Sequence, residues 1–205
     1  MACIVSAYTS SVDALLKLTS RTGTKFEDIE AITVKTYQAA INVLSFSEKA
    51  ETVHQSKFSM GFVLAITAKN GHAAITDFTE EALKDKELRE FQKVTMVFDE
   101  KIEDLFPEKW TGSIEVLTRS GERLFEAVDS VKGDPLQTLT RYGVGYISNF
   151  DSLPVANGDS RDEIEAKARD LALYGGIEDM DHLRRTMQRI WSLEDETNML
   201  GFAFE

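Results

Sequence analysis

The chain has 205 residues, 42% of them hydrophobic, and a formal net charge of −12. That length allows one large domain or two small ones around a real core, and the acidic balance, with no Lys/Arg cluster to offset it, argues against a nucleic-acid partner. No apolar run approaches the roughly 18 residues of a membrane span, no basic stretch precedes the apolar start MACIVSAYTSSVDALLKL as in a signal peptide, and the single cysteine, Cys3, excludes an internal disulfide and fits a reducing cytoplasm.

The first predicted element is a helix over 10–21, SSVDALLKLTSR, with Val12, Leu15, Leu16 and Thr19 on one face and Gly23 as its stop. FEDIEAITVKTY (26–37) then changes to period two, setting Ile32, Val34 and Thr36 on one side of a strand. A polar loop over roughly 44–55 leads into HQSKFSMGFVLAITAKNG (54–71). This stretch is apolar nearly all round a helix from Phe58 to Ala68, yet it opens on His54, Gln55, Ser56, Lys57 and Ser59. Those polar residues either cap the helix, with Ser56 as the capping residue, or face a site. Asn70-Gly71 ends the helix, since both residues tolerate the left-handed conformation.

Thr79-Glu80-Glu81-Ala82 starts a short helix with a capping hydroxyl and acids in its first turn. LREFQKVTMVFDE passes from helix into a strand near 93–98, and GSIEVLTRSGERLFEAVDSV reads as a hairpin about Arg119-Ser120-Gly121. After Gly133-Asp134-Pro135 the pattern weakens, and 136–158 reads as an irregular excursion. Asp159 or Ser160 caps a helix that ends at Gly175-Gly176, and a last helix near 179–192 carries Leu183, Met187, Ile190 and Trp191 on one face. The sum is an α+β chain: a small mixed sheet with helices on one face, and separate helices at both chain ends.

The ordered set KFSMGFVLAI, DFTEEAL, KVTMVFDE, FPEKWTGSIEVLTRSGERLFEAV with KGDP, and SRDEIEAKARDLA is similar to the C-terminal half of the MmgE/PrpD family, which includes 2-methylcitrate dehydratase, cis-aconitate decarboxylase and iminodisuccinate epimerase. The resemblance covers roughly 10–135 and 159–173 and implies a division of the chain. Residues 1–25 and 159–205 would belong to a large all-helical domain, 26–135 would form an α+β lid, and 136–158 would be an excursion between them. It further implies lyase or isomerase chemistry of the hydro-lyase type on a small di- or tricarboxylate, by proton abstraction alpha to a carboxylate, with no cofactor and no metal. Most of the family's acid/base residues lie in an N-terminal half. The chain is therefore expected to be incomplete alone, and to work with a helical N-terminal-half partner or as a homo-oligomer in the cytoplasm. The alternative is a non-catalytic binding or oligomerisation module derived from the family.

Two departures stand out. Relatives often read A-x-F-S-L-P-Y where this chain has Ser56-Lys57-Phe58-Ser59-Met60-Gly61-Phe62, so the tyrosine position holds a phenylalanine, which cannot donate a proton. The segment before the first helix, CIVSAYTS, lacks the histidine or other polar catalytic group often found there.

A polycarboxylate substrate needs cations, helix N-termini or hydroxyls around its carboxylates. Lys57 and Ser59 are the substrate-binding candidates on that ground, and His54, as an imidazole, is a weak candidate for the base. His72 beside Gly71 suits a helix C-terminus electrostatically, and His182 sits among Glu178, Asp179, Arg184 and Arg185 as a surface ion-pair member. Three histidines so far apart give no metal-ligand spacing. RYGVGY (141–146) reads as a plain loop, or else as a stretch that with Arg141 closes over a site or packs on a partner, with no dinucleotide-binding pattern around it.

Overall fold

The computed structural model describes residues 8–44, 50–91, 93–131 and 161–193. Cys3, the 136–158 excursion with RYGVGY, the Asp159/Ser160 cap and the acids Glu194 to Glu196 lie outside the described residues. The chain divides into two compact units, Met1–Gly158 and Asp159–Glu205.

The first unit is built on a four-stranded mixed sheet in the order β2-β1-β3-β4. Its strands are β1 (Ile29–Thr36), β2 (Val94–Phe98), β3 (Gly112–Thr118) and β4 (Arg123–Val128). β1 pairs parallel with β2 and antiparallel with β3, and β3 pairs antiparallel with β4. The period-two reading of β1 holds: Ile32, Val34 and Thr36 are all buried. The hairpin also closes as expected, with the Gly121 N–H donating to the Thr118 carbonyl at 2.9 Å and Gly121 at φ 87°, a left-handed position that favours glycine.

One face of this sheet carries the core. The helix α1 (Thr9–Thr22) packs on β3, β4 and the buried helix α4 (Met60–Asn70). Both helices end in a left-handed glycine, Gly23 and Gly71, each at φ 72°. The buried stripe of α1 differs from the one expected. Ala14, Leu15 and Leu18 are fully buried beside Val12, while Leu16 and Thr19 are only partly covered. Leu18 and Ala14 flank Leu15 on the i+3/i−1 row that meets the sheet, and the Thr19 hydroxyl turns back to the Leu15 carbonyl at 2.9 Å. The stripe therefore finds its partners inside this unit.

Short helices fill the connections: α2 (Gln38–Leu44), α3 (Val53–Ser56), α5 (Glu80–Lys84), α6 (Lys86–Glu90) and α7 (Glu100–Glu103). The Thr79 hydroxyl caps α5 as expected, accepting from the Ala82 N–H at 3.1 Å. α2 fills the stretch between the strand read over 26–37 and the loop read over roughly 44–55, to which the sequence assigns no element; it buries only Ala40 and Leu44 and so shows little period. The second unit contains α8 (Arg161–Tyr174) and α9 (Met180–Trp191). On α9 only Met187 of the expected face is buried; Ile190 is 52% exposed.

Candidate functional site

The expected single helix from His54 is two helices with a break between them. Thr52 opens α3: its hydroxyl accepts from the Gln55 N–H at 3.1 Å, and the Gln55 side chain returns to the Thr52 N–H at 3.2 Å, a reciprocal capping box. The chain then turns through Lys57 and Phe58, and Ser59 opens α4, its hydroxyl accepting from the Phe62 N–H at 3.3 Å. Ser56 is not the cap. It is fully buried, and its hydroxyl donates to the Val53 carbonyl at 2.8 Å. The polar cluster HQSKFS thus supplies Gln55 to the capping box of α3 and Ser59 as the cap of α4, where one long helix was expected.

The three candidate residues end up in different surroundings. His54 is exposed on α3, with its ring 5.0 Å from that of Phe58. Ser59 is 2% exposed and committed to its cap. Lys57 is half-buried, and its carbonyl accepts the Tyr8 hydroxyl at 3.0 Å. Phe62, at the family tyrosine position, is completely buried beside Phe78, ring centroids 6.2 Å apart.

The Tyr8–Lys57 bond shows how the two main helices run. Tyr8 precedes α1 and Lys57 precedes α4, so the two helix starts lie side by side. The two ends also meet: Gly23 and Gly71 line one open cavity of about 970 Å3. Neither helix carries an acid in its first turn. Two positive dipole ends therefore sit together beside Lys57 and His54. Among the described residues no side chain caps α1, and none bonds the Ser11 hydroxyl, which is fully buried in its first turn. The Thr36 and Thr111 hydroxyls share that condition. Sequence reasoning missed these hydroxyls, since their isolation follows from burial and not from any local pattern.

The cavity lies at the opposite, carboxyl ends of the helices. It is floored by the stacked rings of Phe26 and Phe91, 4.7 Å apart. Several of its cations are already matched. Lys69 reaches Asp85 at 2.8 Å and Glu87 at 2.7 Å, Lys93 reaches Glu30 at 2.6 Å, and the Arg119 guanidinium donates to the Glu27 carbonyl at 2.7 Å. Lys93 holds the Glu30 carboxyl below its usual range, and Lys69 does the same to Asp85. With matched charges and negative dipole ends, this cavity suits a polycarboxylate poorly.

His72 lies where expected. Its Nδ1 is 3.0 Å from the Asn70 carbonyl, and Nε2 is 3.5 Å from Asp77. At α9 the expected ion pair involves other atoms: Asp179 accepts from the His182 backbone N–H at 2.8 Å as an N-cap, and Arg184 pairs with Asp181 at 2.8 Å. Among the described residues no cluster of His, Cys, Asp or Glu is disposed to hold a metal ion, and no helix is long and apolar enough to cross a membrane.

Residues 2–144 match the family model for the MmgE/PrpD C-terminal domain. No curated protein matches the chain.

Proposed function

Because this chain belongs to the MmgE/PrpD family, through that family's C-terminal domain, we propose that it forms the lid part of an enzyme acting on a small di- or tricarboxylate. The reaction class is proton abstraction alpha to a carboxylate, followed by loss of water, loss of CO2 or reprotonation. The observation that carries this reading is the pairing of the α1 and α4 starts through Tyr8 and Lys57, which sets two positive helix ends beside a lysine with no acid in either first turn. Lys57 would hold a substrate carboxylate, the N–H groups at the α1 start would support it, and Ser59 would act by keeping α4 in position. The base would come from a helical N-terminal-half partner, or from His54 if none is needed. A lid without that partner neither excludes water nor positions a base, so turnover by this chain alone should be absent.

Two observations favour the non-catalytic alternative. Phe62 is fully buried and cannot transfer a proton, and α1 already buries its stripe within its own unit. Calorimetric titration with citrate, 2-methylcitrate and cis-aconitate, beside turnover assays with and without a family N-terminal-half protein, separates the two readings. The enzymatic reading expects Lys57→Ala to weaken the ligand by about 1–3 kcal/mol, the range of a charge-assisted hydrogen bond, with the melt shifted by no more than roughly 0.5 kcal/mol. Equal binding by the variant and the parent chain would favour the module.

A further inference from the structure

The cavity at the carboxyl ends of α1 and α4 has no part in the polycarboxylate reading, yet it has the anatomy of a ligand site: about 970 Å3, an apolar lining and a charged rim. The apolar lining is Leu16, Phe26, Ile29, Ala68 and Phe91. The rings of Phe26 and Phe91 stack at 4.7 Å with 18° between their planes. The Lys69 ammonium lies 5.8 Å from the Phe26 centroid, so this aromatic pair already holds one cation against its π surface. A β carbon built on Gly23 or on Gly71 would meet nothing within 4 Å outside its own stretch of chain. The space beside both helix ends is therefore open.

Both helices end here as negative poles. The last bond of the α1 ladder runs from the Gly23 N–H to the Thr19 carbonyl at 2.8 Å, which leaves the carbonyls of Ser20, Arg21 and Thr22 beyond it. In α4 the Gly71 N–H donates to the Thr67 carbonyl at 2.9 Å, and the carbonyls of Ala68 and Lys69 lie beyond that bond. The nearby cations do not offset these poles, because they are engaged elsewhere. Lys69 is held by Asp85 and Glu87, and Lys93 by Glu30. Arg119 uses its Nε on the Glu27 carbonyl and lies 3.6 Å from Glu30, while Lys25 is exposed. The Glu27 carboxylate, by contrast, pairs with no cation among the described residues. What the cavity lacks is positive charge and N–H donors carried on a flat apolar body.

We propose that this cavity is a second ligand site, separate from the α1 and α4 starts, and that it takes a small planar organic cation: an amidinium, a guanidinium or a protonated heteroaromatic ring. A planar, delocalised cation is more weakly hydrated than an ammonium and lies readily against aromatic surface such as that of Phe26 and Phe91. Its N–H groups donate to the helix-end carbonyls and to the Glu27 carboxylate, as charge-assisted hydrogen bonds. A carboxylate in the same place would meet two negative helix poles, with Lys69, Lys93 and Arg119 already engaged. The site lies at the opposite ends of the two helices from Tyr8 and Lys57, so it does not depend on the enzymatic reading.

Titration of the full chain with benzamidine hydrochloride, followed by calorimetry and by amide chemical shifts, tests it. Benzamidinium should bind saturably at millimolar concentration or below. It should move the Gly23 and Gly71 amides and leave in place that of Gly112, which sits against Ser10 at the other end of α1. Benzoate, the same ring with the opposite charge, should bind at least tenfold more weakly, and so should n-butylammonium, which has the charge without the plane. Glu27→Gln should weaken benzamidinium about threefold, the scale of an exposed ionic contact, and Phe91→Leu about fivefold, through loss of the ring. Absence of saturable binding overturns the proposal. So do equal affinity for benzoate, shifts confined to the α1 and α4 starts, and full affinity in both variants. If Phe91→Leu misfolds, Glu27→Gln and the benzoate comparison decide the outcome.

Discussion

Ser59 and Ser56 show how three residues of sequence can conceal a change of role. Both are serines near the start of an apolar stretch, and hydrophobic periodicity alone does not separate them. The break at Lys57–Phe58 does, because it ends α3 and makes Ser59 the residue whose hydroxyl meets a free N–H of the next helix. Ser59→Ala should therefore cost about 1 kcal/mol of stability, the usual cost of losing an N-cap. Thermal melts of the single variant measure it, and an unchanged melt would remove the cap from the account of this site. The polar character of HQSKFS was legible. What was hidden is that the hydroxyl proposed for substrate is committed to backbone, since nothing local records that a second helix, α4, starts at Met60. Ser11 illustrates a second blind spot: a serine in a first turn reads as solvated, and only the packing of α1 on the sheet buries its hydroxyl without a partner.

Elements were legible where their ends carry chemistry. Gly23, Gly71, Thr79 and the Arg119-Ser120-Gly121 turn all stand where the sequence places an element boundary, because each answers a backbone demand that few residues meet. α2 lacks such marks. The contact that ties α4 to α6 is equally invisible from sequence, because its partners are far apart along the chain: Lys69 at the last turn of α4 holds Asp85 and Glu87 at the start of α6. It has a definite pH signature. The Lys69 ammonium depresses the Asp85 carboxyl below its ordinary 3.8, so Asp85 contributes stability above that pH and loses it as pH falls through the lower folded value. The same carboxylates raise Lys69 above its ordinary 10.5, so its contribution is full below that pH and is lost as pH rises through the higher folded value. The stability difference between the parent chain and Lys69→Met should thus be flat between about pH 5 and 9 and shrink on acidification below about pH 4. Its plateau should be roughly 0.2–1 kcal/mol, the scale of an ion pair near the surface. Urea melts across the pH range report it, and a difference that grows in acid would contradict the assignment.

At the scale of the molecule the two units differ in how much they bury. In the first unit one cluster joins α1, the sheet and α4, with Leu15, Leu18, Ile32, Val34, Phe62, Leu64 and Ile114 each at 1% exposure or less. In the second, Ala172 and Met187 are the buried hydrophobics among the described residues, while Leu173, Tyr174, Ile177, Ile190 and Leu193 are all exposed by 39% or more. The amphipathic pattern of α9 was legible, but amphipathicity states only that a face wants cover. Two helices present too little opposing surface to supply it. Local stability follows buried apolar contact, so the two units should open with different free energies. Hydrogen exchange read by mass spectrometry should show slow amides in β1, β3 and α4, closing only with global unfolding, and fast exchange throughout α8 and α9. In the parent chain by itself the gap between these groups should reach at least a hundredfold, or about 2.7 kcal/mol at 25 °C. A helical partner that covers the exposed face of α9 should slow exchange in α8 and α9 while leaving β1 and β3 unchanged. Equal protection of both units in the chain by itself would mean that the second unit is already covered, and the case for a helical partner at that face would fall.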